Sequence, residues 1–274
     1  MPYLSVCGLE VFYRDEGKGS PIILGHSSTG SSGQWRGLSN RLACRYRLIA
    51  PDHIGCGRTA HCSGQLSLME QEISITLRLV ELAGAPVHLV GHSYGGSILA
   101  RAALRLPGKV RSLALIEPTL FYLLRPAGKE TEHIEIEAVA DHVIHFATAD
   151  NYEEAARGFI DYWVGPGAYA TMDERLRTSI MGSVPALVME CPTSFEPSGA
   201  TYDALARLDV PILLINGSNT TAAARGVVDI LHKLWPDAPM IGIPNAGHMA
   251  PITHADQVNS VLEMFVDKHS GSGL

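Results

Sequence analysis

Two kinds of apolar pattern alternate along the chain. Short, mostly apolar runs stand at Pro21-Ile22-Ile23-Leu24, Arg47-Leu48-Ile49-Ala50, Val87-His88-Leu89-Val90, Val110 to Ile116, Pro211 to Ile215 and Met240 to Ile243. Runs of that length read as buried strands. Tyr3–Cys7 and Leu9–Tyr13 read as two further strands joined by a turn, and Asp15–Gly19 then breaks the pattern. Helical segments fill the intervals. A helix of roughly a dozen residues passes through Trp35 and Leu42. Residues 67–83 carry Leu68, Ile73, Ile75, Leu77, Val80 and Leu82 at helical spacing, and Ser97–Leu106 is rich in Ala and Leu.

Strand and helix in alternation imply an α/β protein with a mostly parallel sheet and helices on both faces. The alternation stops between about 119 and 205. That stretch predicts helices over Ile134–His145, Tyr152–Val164 and Asp173–Met181, and no strand. It reads as a helical insertion. The expected organisation is a core of residues 1–120 and 205–268, a helical cap over 121–204, and a flexible tail over 269–274. A separate C-terminal half-domain is the alternative. Ligands of open α/β sheets bind at the carboxyl edge, so a cap there would shape the pocket.

Composition narrows the class. Of 274 residues, 46% are hydrophobic and 18% charged, enough to bury a sizeable core. The net charge of −7, without a long basic run, argues against nucleic acid or an anionic membrane surface as partner. No apolar stretch approaches the roughly 20 residues of a membrane span, and no leader is expected at the N-terminus. Five cysteines, an odd and irregular set, do not form a disulfide framework and suit a reducing, cytoplasmic compartment. Cys56 and Cys62, near His53 and His61, lack the paired spacing of a metal site, so no metal is expected.

The chemistry concentrates at two places. Val90-Gly91-His92-Ser93-Tyr94-Gly95-Gly96 lies between a predicted strand and a predicted helix. That is the setting of a nucleophile elbow: the serine sits on a strained turn, and small neighbours let strand and helix close up. Gly247-His248-Met249-Ala250-Pro251 follows the last predicted strand. A serine hydroxyl needs a base to take its proton, and a histidine titrating near neutrality suits that role.

With Gly25-His26-Ser27-Ser28, Asp52-His53-Ile54-Gly55-Cys56-Gly57, the elbow and Gly247-His248, the chain resembles the cap-bearing branch of the α/β-hydrolase superfamily over nearly its full length. The resemblance implies an eight-stranded sheet, a Ser–His–acid triad and an oxyanion hole of two backbone N–H groups. Those groups fall on Tyr94 and Ser28 in this chain. Where relatives carry His-Gly-x, this chain has His26-Ser27-Ser28. The acid usually closes a Gly-x-x-Asp turn after the cap, yet here the turn is Gly217-Ser218-Asn219-Thr220. Glu117, a charge that ends the apolar strand Leu113–Ile116, is the expected replacement, as in relatives whose acid follows that strand.

The expected reaction is cleavage of an ester, thioester or lactone of a small molecule through an acyl-enzyme on Ser93, with no cofactor. Carbon–carbon bond hydrolysis by the same residues, or a ligand-binding member without chemistry, are the alternatives. Asp52, Gly55 and Gly57 are expected to fix a turn near the site. His26 and His92 are expected at the pocket floor, and Trp35, Phe121, Tyr122, Trp163 and Met249 along its walls. Tyr162 is expected along the same walls. The sequence assigns no oligomeric state.

Overall fold

The computed structural model describes residues 2–61, 66–84 and 86–271. Cys62 and tail residues 272–274 lie outside the described residues. Eight strands occur in chain order: β1 Tyr3–Val6, β2 Leu9–Gly17, β3 Ser20–Gly25, β4 Tyr46–Pro51, β5 Val87–His92, β6 Val110–Ile116, β7 Ile212–Gly217 and β8 Met240–Ile243. They form one sheet in the order β1-β2-β4-β3-β5-β6-β7-β8. The pairings β1·β2 and β2·β4 are antiparallel, and the rest are parallel. β2 runs past Asp15 to Gly17, through the expected break, because Tyr13–Gly17 pair with Arg47–Pro51 of β4.

The helices are α1 Arg36–Leu42, α2 Leu68–Ala83, α3 Tyr94–Ala103, α4 Glu130–Thr148, α5 Tyr152–Val164, α6 Ala168–Thr171, α7 Glu174–Thr193, α8 Tyr202–Ala206, α9 Ala222–Leu234, α10 Ala250–Thr253 and α11 Ala255–His269. Their starts follow the chemistry of the sequence. Ser67, Asp173 and Thr221 accept hydrogen bonds from backbone N–H groups at the beginnings of α2, α7 and α9. α2 ends at Gly84 in the left-handed conformation. α3 begins at Tyr94, three residues before its predicted start, since the elbow feeds directly into it.

Successive strand residues point to opposite faces of the sheet. Ile22, Leu24, Leu213 and Ile215 therefore bury one face against Trp35, Leu38, Leu262 and Phe265. Ile23, Leu89, Leu113 and Leu214 bury the other against Ile73, Leu79, Ile98 and Val227. Both faces are apolar, as a covered parallel sheet requires.

Between β6 and β7 the chain forms helices and no strand among the described residues. α4, α5 and α7 pack on one another. Part of this segment has its own small core of Ala155, Ala156, Ile160, Tyr169, Ile180 and Val184. α7 passes its predicted end and contains Pro185 and Pro192. Asp161, in the predicted helix Tyr152–Val164, accepts from the Tyr169 N–H at 2.8 Å and so closes the turn into α6. Arg101, buried on α3, donates to the backbone carbonyls of Thr193, Glu196 and Pro197, tying the exit of the insertion to that helix. No helix among the described residues is long and apolar enough to cross a membrane.

Candidate active site

The carboxyl ends of β3, β5, β6, β7 and β8 come together at one edge of the sheet, and each contributes a loop. Ser93 follows β5 with φ 54° and ψ −120°. A non-glycine residue tolerates that conformation only where its surroundings fix it. Here the Ser93 N–H donates to Ile116 O at 2.9 Å, and Gly95 N–H donates to His26 O at 3.0 Å. The glycines beside the turn are required by contact. A Cβ on Gly91 would lie 2.5 Å from the Gly96 Cα, and one on Gly95 would lie 2.3 Å from the Gly25 carbonyl carbon.

His248, after β8, reaches both partners. Its Nε2 is 2.9 Å from Ser93 Oγ and its Nδ1 is 2.5 Å from Glu117 Oε2. All three side chains are buried. Glu117 ends β6 with φ 44°, which turns its carboxylate along the sheet edge toward His248. Its other partners come from the turn where an acid is missing. Gly217 N–H donates to Oε1 at 2.7 Å, and Thr220 Oγ1 donates to Oε2 at 2.6 Å. Burial raises the carboxyl's pKa. The bonds from His248, Thr220 and Gly217 outweigh that and hold it below the usual carboxylate range. Thr220 thus stands in the acid's place in sequence but serves the acid from β6.

Ser28 and Tyr94 flank the nucleophile. Tyr94 is the first residue of α3, where N–H groups have no intrahelical acceptor. Ser28 lines the same cleft as Ser93. Neither backbone N–H has an acceptor among the described residues.

His26 and His92 lie beneath this layer, fully buried, and line neither of the two cavities at Ser93. This corrects their expected place at the pocket floor. Both act as braces. His53 N–H donates to His26 Nε2 at 3.0 Å, and His26 Nδ1 meets Ser27 O at 2.7 Å. Burial, with His53 close by, holds His26 well below its ordinary pKa and keeps it neutral. Gln34, a residue with no signal in the sequence, accepts from the Ser27 N–H at 3.1 Å through Oε1. Its Nε2 meets His92 Nδ1 at 3.2 Å, and His92 Nε2 meets His248 O at 2.9 Å. Burial lowers the His92 pKa to about 3, so the ring is neutral and bridges amide to carbonyl. The loop carrying Ser28 and the loop carrying His248 are therefore linked by one chain of hydrogen bonds. Asp52 binds Ser32 N–H at 2.6 Å and Arg58 N–H at 2.8 Å, against Gly57 at φ +54°. That places it, as read from the sequence, at a tight turn.

Of the expected wall residues, Trp163 and Met249 line a cleft of about 490 Å³ that also contains Ser28, Ser93 and His248. Trp163 stacks on His248 with ring centroids 4.0 Å apart. Phe121 and Trp163 line a second, smaller cavity on Ser93. Trp35 and Tyr122 do not reach the site. Trp35 is 2% exposed and belongs to the core on one face of the sheet, because an indole fits an apolar interior as well as a pocket. Tyr122 donates to Ala200 O, and its ring lies 5.4 Å below the Arg101 guanidinium, so it helps seat the exit of the insertion. The Tyr162 hydroxyl bonds Glu135 at 2.7 Å between α5 and α4. Among the described residues no group of His, Cys, Asp and Glu is arranged to hold a metal ion.

The sequence profile of the alpha/beta hydrolase family matches residues 15–261, and the chain belongs to that family. It is 29% identical to a non-heme haloperoxidase of Rhodococcus erythropolis, over 97% of this chain and all of that protein. It is 24% identical to a pimeloyl-(acyl-carrier protein) methyl ester esterase of Nitrosomonas europaea, over 90% of this chain and 96% of that one. A shorter match at 35% identity spans 117 residues, 42% of this chain and 44% of the relative. Among solved structures, the enol-lactonase of Burkholderia xenovorans LB400 superposes with a TM-score of 0.77 at 19% identity, covering 97% of this chain and all of that one. That structural likeness bears on the fold alone.

Proposed function

We propose that the chain hydrolyses a carboxylic ester or lactone of a small molecule through an acyl-enzyme on Ser93. One observation carries this reading: His248 stands 2.9 Å from Ser93 Oγ and 2.5 Å from a buried, fully partnered Glu117 carboxylate. In this reading His248 Nε2 takes the Ser93 proton as Oγ attacks the ester carbonyl, and Glu117 stabilises the imidazolium that forms. The N–H groups of Ser28 and Tyr94 receive the negative oxygen. His248 then returns the proton to the leaving alcohol, and water attacks the acyl-enzyme by the same route in reverse. The esterase relative acts on a bond of this class by name, which supports the assignment. The fold hosts more than one chemistry, as the haloperoxidase relative illustrates, so the site and not the fold bears the argument. Free thiols at Cys7, Cys44, Cys56 and Cys191 fit a reducing, cytoplasmic setting.

A fluorophosphonate probe tests the core of the reading. The purified protein is expected to form a phosphonyl adduct on Ser93 and to turn over phenyl acetate. Ser93→Ala abolishes both. A wild-type protein that neither labels nor hydrolyses short esters refutes the proposal.

A further inference from the structure

Beside the nucleophile lies a small cavity of about 40 Å³, which adjoins the larger cleft and shares Ser28, Ser93, Phe159 and Trp163 with it. Liquid water occupies about 30 Å³ per molecule, so the space admits one or two heavy atoms. Ser93, Ser28, Thr119 and Glu190 line it together with apolar side chains such as Phe121, Ile136 and Leu187. Three of its lining residues carry buried polar atoms without a hydrogen-bond partner: Thr119 Oγ1, Trp163 Nε1 and Glu190 Oε2. Glu190 is 2% exposed and Thr119 6%. The other Glu190 oxygen, Oε1, meets the Cys56 thiol at 3.8 Å, and the Ser28 hydroxyl also bears on the carboxyl.

A buried polar atom left unpaired costs about 1–3 kcal/mol. Other buried atoms also lack a partner, Trp35 Nε1 and Tyr169 Oη among them, but only here do three such residues line one cavity with Ser93. An apolar acyl group seated there would leave all of them unpaired. A group bearing a hydroxyl would pair them. Burial, reinforced by the charge of Glu72, lifts the Glu190 carboxyl to about 7, against the pulls of the Ser28 hydroxyl, His53 and the Cys56 thiol. A neutral carboxyl both donates and accepts, as does the Thr119 hydroxyl.

The two spaces divide the substrate. The larger cleft is rimmed by exposed residues such as Val164, Leu176 and Ile252. It suits the leaving alcohol and the incoming water, which must exchange with solvent. The smaller cavity, which admits only one or two heavy atoms, suits a short acyl group, which stays on Ser93 between the two steps.

Building on the acyl-enzyme reading above, we propose that Glu190 and Thr119 form a polar subsite beside Ser93. It selects short acyl groups with a hydroxyl or carbonyl on the carbon next to the ester carbonyl. A site built to bind such a group discriminates strongly against its methyl analogue.

Phenyl glycolate and phenyl propionate test this, since their acyl groups match in size and differ as OH against CH₃. Each kcat/KM is divided by the ester's own rate of hydrolysis by hydroxide. The wild-type protein is expected to favour glycolate at least tenfold. Glu190→Leu and Thr119→Val are each expected to bring the ratio near one. Glu190→Gln, which keeps a donor and an acceptor, retains most of the preference. If Glu190→Leu does not fold, Thr119→Val carries the same expectation. Turnover of phenyl acetate without a glycolate preference, or a preference unmoved in the folded variants, overturns the subsite and leaves the role of Ser93 standing. Failure to hydrolyse any of these esters, with no phosphonyl adduct, ends both.

Discussion

Glu117 and Glu190 reach the site from different parts of the molecule and are handled in opposite ways. Glu117 closes a strand of the sheet. Both its oxygens are paired, by His248, Thr220 and Gly217, and it is held ionised below the usual range. Glu190 hangs from α7 of the insertion, equally buried, with one oxygen unpaired and its pKa lifted to about 7. The same side chain at the same depth is thus held below the usual carboxylate range at one position and lifted to about 7 at the other. Hydrogen-bond supply, not burial, decides which. The rigid sheet edge provides a backbone N–H, a hydroxyl and an imidazole at fixed positions. The helix wall leaves one oxygen facing a cavity.

The largest effect is expected from cancelling the charge on the sheet side. Glu117→Gln should lower kcat by roughly two to four orders of magnitude, as loss of the orienting carboxylate does in related triads, while KM moves little. Thr220→Asp in that background puts a carboxylate on the neighbouring turn and should recover at least tenfold of the loss, measured by steady-state ester hydrolysis. Wild-type turnover in Glu117→Gln would break the contrast between the two carboxylates.

A smaller effect tests what holds the anion. Thr220→Val removes one of the bonds to Glu117 Oε2 without changing shape. A hydrogen bond to a charged group is worth about 1.5–3 kcal/mol, so kcat should fall by roughly ten- to a hundredfold. An unchanged kcat would mean that His248 and Gly217 suffice.

The smallest effect is one of stability, and its sign differs for the two groups. Between its unfolded and folded pKa values, Glu117 binds fewer protons in the folded chain, so its contribution is lost as pH falls. Glu190 binds more protons when folded, so its contribution is lost as pH rises from 4.5 to about 7. The groups that bear on it are Glu72 and His53, the Cys56 thiol and the Ser28 hydroxyl. Glu190→Gln has no proton to lose. Its melting temperature relative to wild type should climb by a few degrees between about pH 5 and pH 8. A constant difference would show that Glu190 titrates like an exposed acid and would erase the contrast.

The sequence reveals what is local. Ser93 is visible because a glycine-flanked serine between strand and helix is a short pattern with a mechanical cause, and the apolar runs mark the sheet for the same reason. Glu117 is visible because a charge ending an apolar strand needs an explanation. Gln34 and Glu190 are not visible. Each is an ordinary polar residue on or near a helix, and only the fold brings it to its partner, 58 residues away from His92 in the case of Gln34. Trp35 and Tyr122 show the reverse: aromatic residues near the motifs whose apolar bulk fits core and pocket alike. The run of α7 through Pro185 was equally hidden, since packing against α4 and α5 overrides a residue that ordinarily breaks a helix.

The linkage Ser27–Gln34–His92–His248 has a consequence for anyone who would remodel this protein. Two loops far apart in the chain are tied through these hydrogen bonds, so neither can be redrawn as an independent module. A graft that repositions the serine-rich loop also withdraws the brace behind the imidazole. Residues 34 and 92 must then be exchanged as a matched set, because once one link is cut the other has nothing left to transmit.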